Sequence, residues 1–184
     1  MSIIKSIAAA ASGLILVSCG GSGTEVTERS RLAVGACDPR PEVTGHADFS
    51  RVNPVTKAVT HWRYSVEAIV HSDCTVSGEF EEHLDLPTGV TQVVHASITC
   101  VTIDPDGRTA YIGGVVDHTM NTNLLPHVTE GFLTVRDNGE GAGDPPDQAS
   151  VATAGPPGTA EAHCSTHFAR VLSPIEHGNI QVRP

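Results

Sequence analysis

Apolar and polar residues alternate with a period of two along the chain from residue 60 onward. Within residues 60–70 the apolar positions are Trp62, Tyr64, Val66, Ala68 and Val70. Because successive side chains of a strand point to opposite faces, this pattern predicts a half-buried β-strand.

The next run, residues 75–84, alternates in the same way. Phe80 and Glu82 fall on one face, and Glu79 and Glu81 fall on the other. We interpret the three glutamates as part of a solvated strand surface. The alternative is a carboxylate pair flanking a sugar bond, as in glycoside hydrolases.

Further strands are predicted over residues 90–103, 109–116 and 131–136, with short candidates at 150–154 and 160–168 and an edge strand or loose tail at 174–184. The run 90–103 is apolar on both faces, which predicts a central strand. Gly113 and Gly114 indicate a bulge or a close backbone approach. No segment shows a helical period, and residues 117–130 and 137–147 are expected to be loops.

Long strands joined in sequence by short turns predict an all-β domain built as an antiparallel meander. Strands of ten or more residues favour a small β-barrel over a β-sandwich, because barrel strands are tilted and therefore long. Both architectures remain open at this point. We expect a single β-domain over residues 37–184, with a core of Val, Ile, Leu and Ala because aromatic residues make up only 4% of the chain.

Residues 1–18 have the pattern of a signal peptide. Lys5 supplies a positive start, and residues 6–17 are uncharged and apolar or small. This stretch is too short for a membrane-spanning helix, which needs about 20 apolar residues. An ordinary secretory signal and a lipoprotein signal both fit these features.

The segment Leu16-Val17-Ser18-Cys19 resembles the lipobox of bacterial lipoproteins. The resemblance implies cleavage before Cys19, a diacylglycerol thioether on its sulfur, and an acyl chain such as palmitate on the new amine. Residues 19–36 would then form a lipidated flexible tether, since Gly/Ser-rich stretches behave as random coil. Gly20 in place of Asp implies sorting to the outer membrane of the cell envelope.

The chain is acidic, with a formal net charge of −10. Such a domain repels nucleic acid and anionic head groups, so we expect no nucleic-acid partner and a membrane contact made only through the lipid anchor. Beyond Cys19, four cysteines remain, at Cys37, Cys74, Cys100 and Cys164. An even number in an exported chain predicts two disulfides, for which three pairings exist.

Three stretches together resemble an uncharacterised family of secreted bacterial β-domains. They are I-T-C-V at 98–101 followed by Gly113-Gly114, D-N-G-E-G at 137–141 followed by P-P-D at 145–147, and A-E-A-H-C at 160–164. The resemblance covers residues 60–183. It implies one disulfide-stapled domain with a Cys100–Cys164 pair, which leaves Cys37 to pair with Cys74. It implies no activity.

The acidic loop is the first candidate for chemistry. Its carboxylates, interleaved with glycines, are Asp137, Glu140, Asp144 and Asp147. Calcium takes six to eight oxygen ligands from flexible backbone, so the loop is a candidate calcium site, although its spacing differs from that of an EF-hand. The alternative is a solvated loop in which Asp137 or Asn138 caps a turn.

Histidines are the second candidate, as ligands of zinc or copper. His61 and His83 lie on predicted polar faces, His163 and His167 flank Cys164, and His118 and His127 share a predicted loop. No H-x-H or H-E-x-x-H motif is present, so scattered surface histidines are the simpler interpretation. The sequence contains no G-x-S-x-G nucleophile elbow, so it gives no sign of a serine hydrolase of that kind.

These features favour an envelope-anchored lipoprotein with a non-enzymatic binding or structural β-module. A ligand would be expected against the apolar face that carries Trp62, Tyr64 and Phe80. The alternative is a calcium-binding protein or a metal-dependent enzyme.

Overall fold

The computed structural model describes residues 40–123 and 127–184. The predicted signal peptide (1–18), the lipidation site Cys19, the tether (19–36) and Cys37 lie outside the described residues. The chain divides into residues 1–32 and 33–184, and every described residue belongs to the second unit.

Ten strands of the described chain form one antiparallel sheet. They are β1 (Glu42–Val52), β2 (Val59–Val70), β3 (Val76–Asp85), β4 (Thr91–Ile103), β5 (Thr109–Met120), β6 (Glu130–Arg136), β7 (Gln148–Ala149), β8 (Thr153–Gly155), β9 (Ser173–Pro174) and β10 (His177–Arg183). A helix, α1 (Thr159–Thr166), lies between β8 and β9. The strand order is β10-β1-β2-β3-β4-β5-β6-β7-β9, and β8 also pairs with β6.

The predicted all-β antiparallel meander is confirmed, since β1 to β6 pair in sequence order. The small barrel that we favoured is wrong, because the sheet is not closed. At its β10 edge, backbone N–H groups bond to side chains instead of to another strand. The N–H of Ile180 donates to Asp147 and that of Val182 donates to Asp137.

The main apolar core lies on one face of the sheet. Side chains from β1 to β7 and β10 form it, and its largest fully buried members are Phe49, Phe80, Ile112, Leu133 and Ile180. Val, Ile, Leu and Ala supply most of the rest, as the low aromatic content predicts. The face that carries this core is called the inner face below. A smaller buried cluster joins β4 to α1 and consists of Cys100, Ala160 and Cys164.

Gly113 and Gly114 mark both a bulge and a close approach. The β4–β5 register shifts between Ile98 and Cys100, opposite these glycines. A Cβ on Gly113 would lie 2.8 Å from the Cβ of Ala160 and 2.9 Å from the Sγ of Cys100. Glycine therefore lets α1 pack against the outer face of β5.

The strand predicted over residues 160–168 is wrong, because these residues form α1 and its C-terminal cap. The hydrophobic residues of α1 show little helical periodicity, and the helix is stabilised by a residue of another element. The carboxylate of Glu130 in β6 accepts the N–H groups of Gly158 (3.0 Å) and Ala160 (2.8 Å) at the first turn. A charge-assisted cap of this kind satisfies donors that a helix start leaves free.

One whole strand and the end of another also differ from expectation. β1 (Glu42–Val52) was not predicted, although its inner positions alternate with polar ones. β5 extends to Met120, so His118 lies on a strand and not in a loop.

In the ranges 40–123 and 127–184, no helix is long and apolar enough to cross a membrane.

Candidate functional site

A cavity of about 300 Å³ lies between the inner face of the sheet and the segment 151–154. We call it the Glu82 cavity. Its lining residues are Phe80, Glu82, Gln92, Val94, Thr122, Asn123, Gly131, Ala152, Thr153 and Ala154. The volume lies at the lower end of the range of small-molecule sites, so the cavity suits a small ligand.

One wall of the Glu82 cavity is shaped by a glycine, Gly131. Gly131 pairs with Ala154 between β6 and β8. A Cβ on Gly131 would come within 2.8 Å of the Cζ of Phe80, so the glycine leaves room for the ring to reach β6. Phe80 is itself fully buried and forms an apolar wall of the cavity.

Glu82 is a buried acid at this site, with a relative exposure of 7%. Its Oε1 accepts the N–H of Ala152 at 3.0 Å, while no ion pair with Lys or Arg involves it among the described residues. Burial raises the pKa of Glu82 to about 7, against the opposing effect of the Ala152 hydrogen bond. The carboxyl therefore changes its protonation state near neutral pH instead of in the acid range.

Tyr64 lies directly across from Glu82 on β2. Its hydroxyl is buried and has no hydrogen-bond partner in the described part of the chain. Burial, with a smaller contribution from Glu82, raises the pKa of Tyr64 well above its ordinary value. The ring packs edge-on against Phe49, which in turn stacks on Trp62.

Of the three aromatic residues expected on the ligand side, Phe80 lines the cavity. Tyr64 pairs with Glu82 and Trp62 packs on Phe49, and neither is among the lining residues. Of the glutamates interpreted as a solvated surface, Glu81 is half-buried and bonds His83, whereas Glu82 is buried. The solvated interpretation is therefore wrong for Glu82, and the period-two pattern had already placed it on the face of Phe80.

Two carboxylates of the acidic loop accept backbone hydrogen bonds from the loop itself and from β10. Asp147 is buried and accepts the N–H groups of Asn138 (2.8 Å) and Ile180 (2.9 Å). Asp137 accepts the N–H groups of Gly139 (2.7 Å) and Val182 (3.1 Å). Both carboxylates are thus structural acceptors that satisfy backbone donors.

The two remaining carboxylates of the loop are exposed. Glu140 accepts hydrogen bonds from Asn179 and Gln181 of β10, each at 2.9 Å, and these bonds lower the pKa of Glu140. Asp144 accepts the N–H of Gly141 at 2.7 Å. No group of three or more His, Cys, Asp or Glu in residues 40–123 and 127–184 is placed to hold a metal ion. The calcium site stays a prediction.

The histidines do not gather at one place. His61 contacts Ser50, and His83 contacts Glu81. His163 is fully buried in α1, where its Nε2 lies 3.0 Å from the carbonyl oxygen of Leu133. Since a carbonyl only accepts, Nε2 carries the proton; burial lowers the pKa of His163, so the ring is neutral. His167 caps α1 and contacts Asp104 at 2.9 Å.

One serine, one histidine and one aspartate do meet on the outer face, at Ser97, His95 and Asp117. The Ser97 hydroxyl donates to Asp117 at 2.6 Å, and His95 contacts the other oxygen of that carboxylate. The hydrogen bond that would activate the serine runs from its hydroxyl to the histidine. Here the hydroxyl is turned to the acid, so this arrangement is not that of a nucleophilic triad.

The Cys100–Cys164 disulfide is formed and ties β4 to α1. The predicted Cys37–Cys74 disulfide has one member outside the described residues and stays a prediction. Comparison of the chain with protein-family models, with curated proteins and with solved structures gives no match.

Proposed function

We propose that this chain is a lipoprotein of the bacterial cell envelope whose β-domain binds a small ligand in the Glu82 cavity. The observation that carries the binding function is a buried carboxyl that lines a cavity of mixed apolar and neutral polar residues and has one hydrogen bond within the described residues. Small-molecule sites are usually concave pockets in which apolar walls are combined with a few placed polar groups.

The anchor is supported by the Leu16-Val17-Ser18-Cys19 segment and by the short apolar run that precedes it. Two or more acyl chains hold a protein at a membrane far more firmly than one. Growth of a bacterial host with labelled palmitate should label the chain. The Cys19→Ala variant should lose the label and leave the membrane fraction. Equal labelling of both chains would contradict the anchor.

The binding function can be tested with a fragment screen on the full chain, held in a non-ionic detergent and observed by amide NMR. We expect fragments that shift the amides of Gly131 and Ala152. The Ala154→Leu variant fills the cavity and should abolish those shifts. Ala162→Leu, on the exposed face of α1, is the matched control and should retain them.

Two outcomes of the screen would overturn the binding function. One is the absence of any fragment that shifts the cavity amides. The other is a set of shifts that persists unchanged in Ala154→Leu, because such fragments would bind elsewhere. Palmitate labelling is independent of both outcomes, so the anchor and the binding function are judged separately.

A further inference from the structure

When it is ionised, Glu82 has no positively charged side chain beside it among the described residues that line the cavity. Of the described residues that line it, Glu82 alone carries an ionisable side chain. Buried charges in proteins are paired or coordinate a metal, because removal of an unpaired ion from water is strongly unfavourable. The described chain supplies no cation to this carboxyl, so the empty space in front of it is where a cationic partner would fit.

Among the residues that the structure describes, the elements packed around Glu82 place no cationic side chain against its carboxyl. From β2 the ionisable neighbour is Tyr64, which is neutral or negative. Beside the segment 151–154, Arg170 donates to the carbonyl of Val151 and to the Thr153 hydroxyl. Its guanidinium lies 5.3 Å from the ring centre of Phe132, and no hydrogen bond joins it to Glu82 within the described residues.

We propose that the Glu82 cavity binds a small organic cation, an amine carried on a short apolar body. This inference rests on the proposed binding function and names its ligand class. The ammonium group would donate to the Glu82 carboxylate, and the apolar body would lie against Phe80 and Val94. The acidic chain, with a net charge of −10, attracts cations and repels carboxylates over longer distances.

The alternatives fit the cavity less well. An anionic ligand would place a second negative charge beside an unpaired carboxylate in a site that excludes water. A divalent metal needs several oxygen, nitrogen or sulfur ligands, and Glu82 is the one carboxylate that lines the cavity among the described residues. A neutral hydrogen-bond donor could use Glu82 as an acceptor, but it would leave the ionised form without a counter-charge.

Amine binding at the Glu82 carboxyl should depend on pH. The ionised carboxylate is the form that pairs with an ammonium, and the pKa of Glu82 is about 7. With this pKa, the ionised fraction rises about tenfold between pH 6 and pH 8, so the affinity for an amine should rise about tenfold. Tyr64 stays protonated over this range because its pKa is raised.

The test is calorimetric titration of the full chain in a non-ionic detergent with four probes. Benzylamine and n-butylamine are cations, benzyl alcohol is neutral, and benzoate is an anion. At pH 8 we expect at least one of the two amines to bind, at least tenfold more tightly than the alcohol, and we expect no benzoate binding. Glu82→Gln should weaken the amine at least tenfold, while Glu81→Gln, one residue away on the opposite face, should change its affinity less than twofold.

Each outcome is decisive for the inference. Tighter amine binding at pH 8 than at pH 6, lost in Glu82→Gln and kept in Glu81→Gln, supports it. Two results overturn it. One is that neither amine binds the wild type. The other is that the alcohol and the amine bind with equal affinity, both to the wild type and to Glu82→Gln. The binding function itself survives that failure if other fragments still give shifts that Ala154→Leu removes, so the two proposals fail in different experiments.

Discussion

Glu82 and Tyr64 lie directly opposite each other on β3 and β2, and both are buried on the inner face of the sheet. The Tyr64 hydroxyl has no hydrogen-bond partner in the described residues, and Glu82 has one hydrogen bond, from Ala152. Two poorly satisfied polar groups on an otherwise apolar face reduce the stability of the fold. Local departures of this kind are expected at functional sites, where they are compensated elsewhere.

Glu82→Gln should remove a pH dependence of stability. The pKa of Glu82 is about 7 in the fold against an ordinary 4.5. Between these values the unfolded chain is ionised while the folded chain holds its proton, so the free energy of unfolding falls as pH rises. The wild type should lose roughly 3 kcal/mol relative to the variant between pH 4.5 and pH 7. Urea unfolding across this window measures the difference.

Glu81→Gln is the control for this measurement. Glu81 is half-buried and bonds His83 on the other face of β3, so the substitution should leave the slope between pH 4.5 and 7 close to that of the wild type. A Glu82→Gln curve parallel to the wild-type curve throughout would show that Glu82 titrates normally.

Tyr64→Phe should stabilise the protein. The substitution removes a buried hydroxyl that lacks a partner among the described residues and keeps the ring that packs against Phe49. An unsatisfied buried polar group costs about 1–3 kcal/mol, so we expect a gain of about 1 kcal/mol in the free energy of unfolding.

Tyr111→Phe is the matched comparison, because the Tyr111 hydroxyl donates to Asp104 at 3.0 Å. Loss of that bond should lower stability by about 1 kcal/mol. Destabilisation by Tyr64→Phe of equal size would mean that the Tyr64 hydroxyl does have a partner in solution.

The sheet was predictable where alternation is regular. β2 and β3 are predicted by their period-two patterns, β4 is predicted as a central strand because it is apolar on both faces, and β5 and β6 are predicted between turn and loop segments. The same alternation assigned Glu82 to the face of Phe80, but composition then suggested that a run of glutamates is solvated. An acidic residue at an inner position of an amphipathic strand was the available signal for the cavity.

Other features depend on contacts that a local pattern does not contain. α1 begins where Glu130, about 30 residues earlier, caps the N–H groups of Gly158 and Ala160. At the β10 edge of the open sheet, Asp147 and Asp137 accept the N–H groups of Ile180 and Val182, where a closed barrel would have another strand. Both are side-chain contacts between distant segments. Strand length therefore favoured a barrel, and the lack of a helical period led to a strand prediction in place of α1.

Asp147→Ala should destabilise the fold strongly. Asp147 is buried and bonds the N–H groups of Asn138 and Ile180, so its removal leaves two donors without an acceptor. We expect a loss of at least about 2 kcal/mol in the free energy of unfolding. The exposed Asp144, which bonds Gly141, is the control, and Asp144→Ala should cost less than about 1 kcal/mol. Equal effects of the two variants would contradict a structural role for Asp147.

Replacement of both Cys100 and Cys164 by alanine should lower stability by about 4 kcal/mol, given a loop of 64 residues. The double variant is preferable to a reducing agent, because Cys74 is also disulfide-bonded. Hydrogen exchange should accelerate in α1 more than in β2. The control is Ser165→Ala, an exposed position in the same helix, which should leave exchange nearly unchanged. Uniform acceleration across β2 and α1 would contradict local anchoring of the helix.

Calcium should leave the melting temperature of the full chain unchanged. The four carboxylates of the acidic loop already accept hydrogen bonds, so a cation would have to displace backbone or amide donors to bind. The comparison is a melt in excess EDTA against one in millimolar calcium. A specific site filled at about 100 times its dissociation constant would stabilise the fold by about 2.7 kcal/mol, a shift of several degrees.

A shift of that size would establish the metal-binding alternative if it disappeared in the Glu140→Gln/Asp144→Asn double variant. These two exposed residues are the right pair to change, because Asp137 and Asp147 bond β10 and their loss would alter the fold as well as any metal site. Identical melts in EDTA and calcium would remove the calcium site and leave the loop with its structural role at the β10 edge.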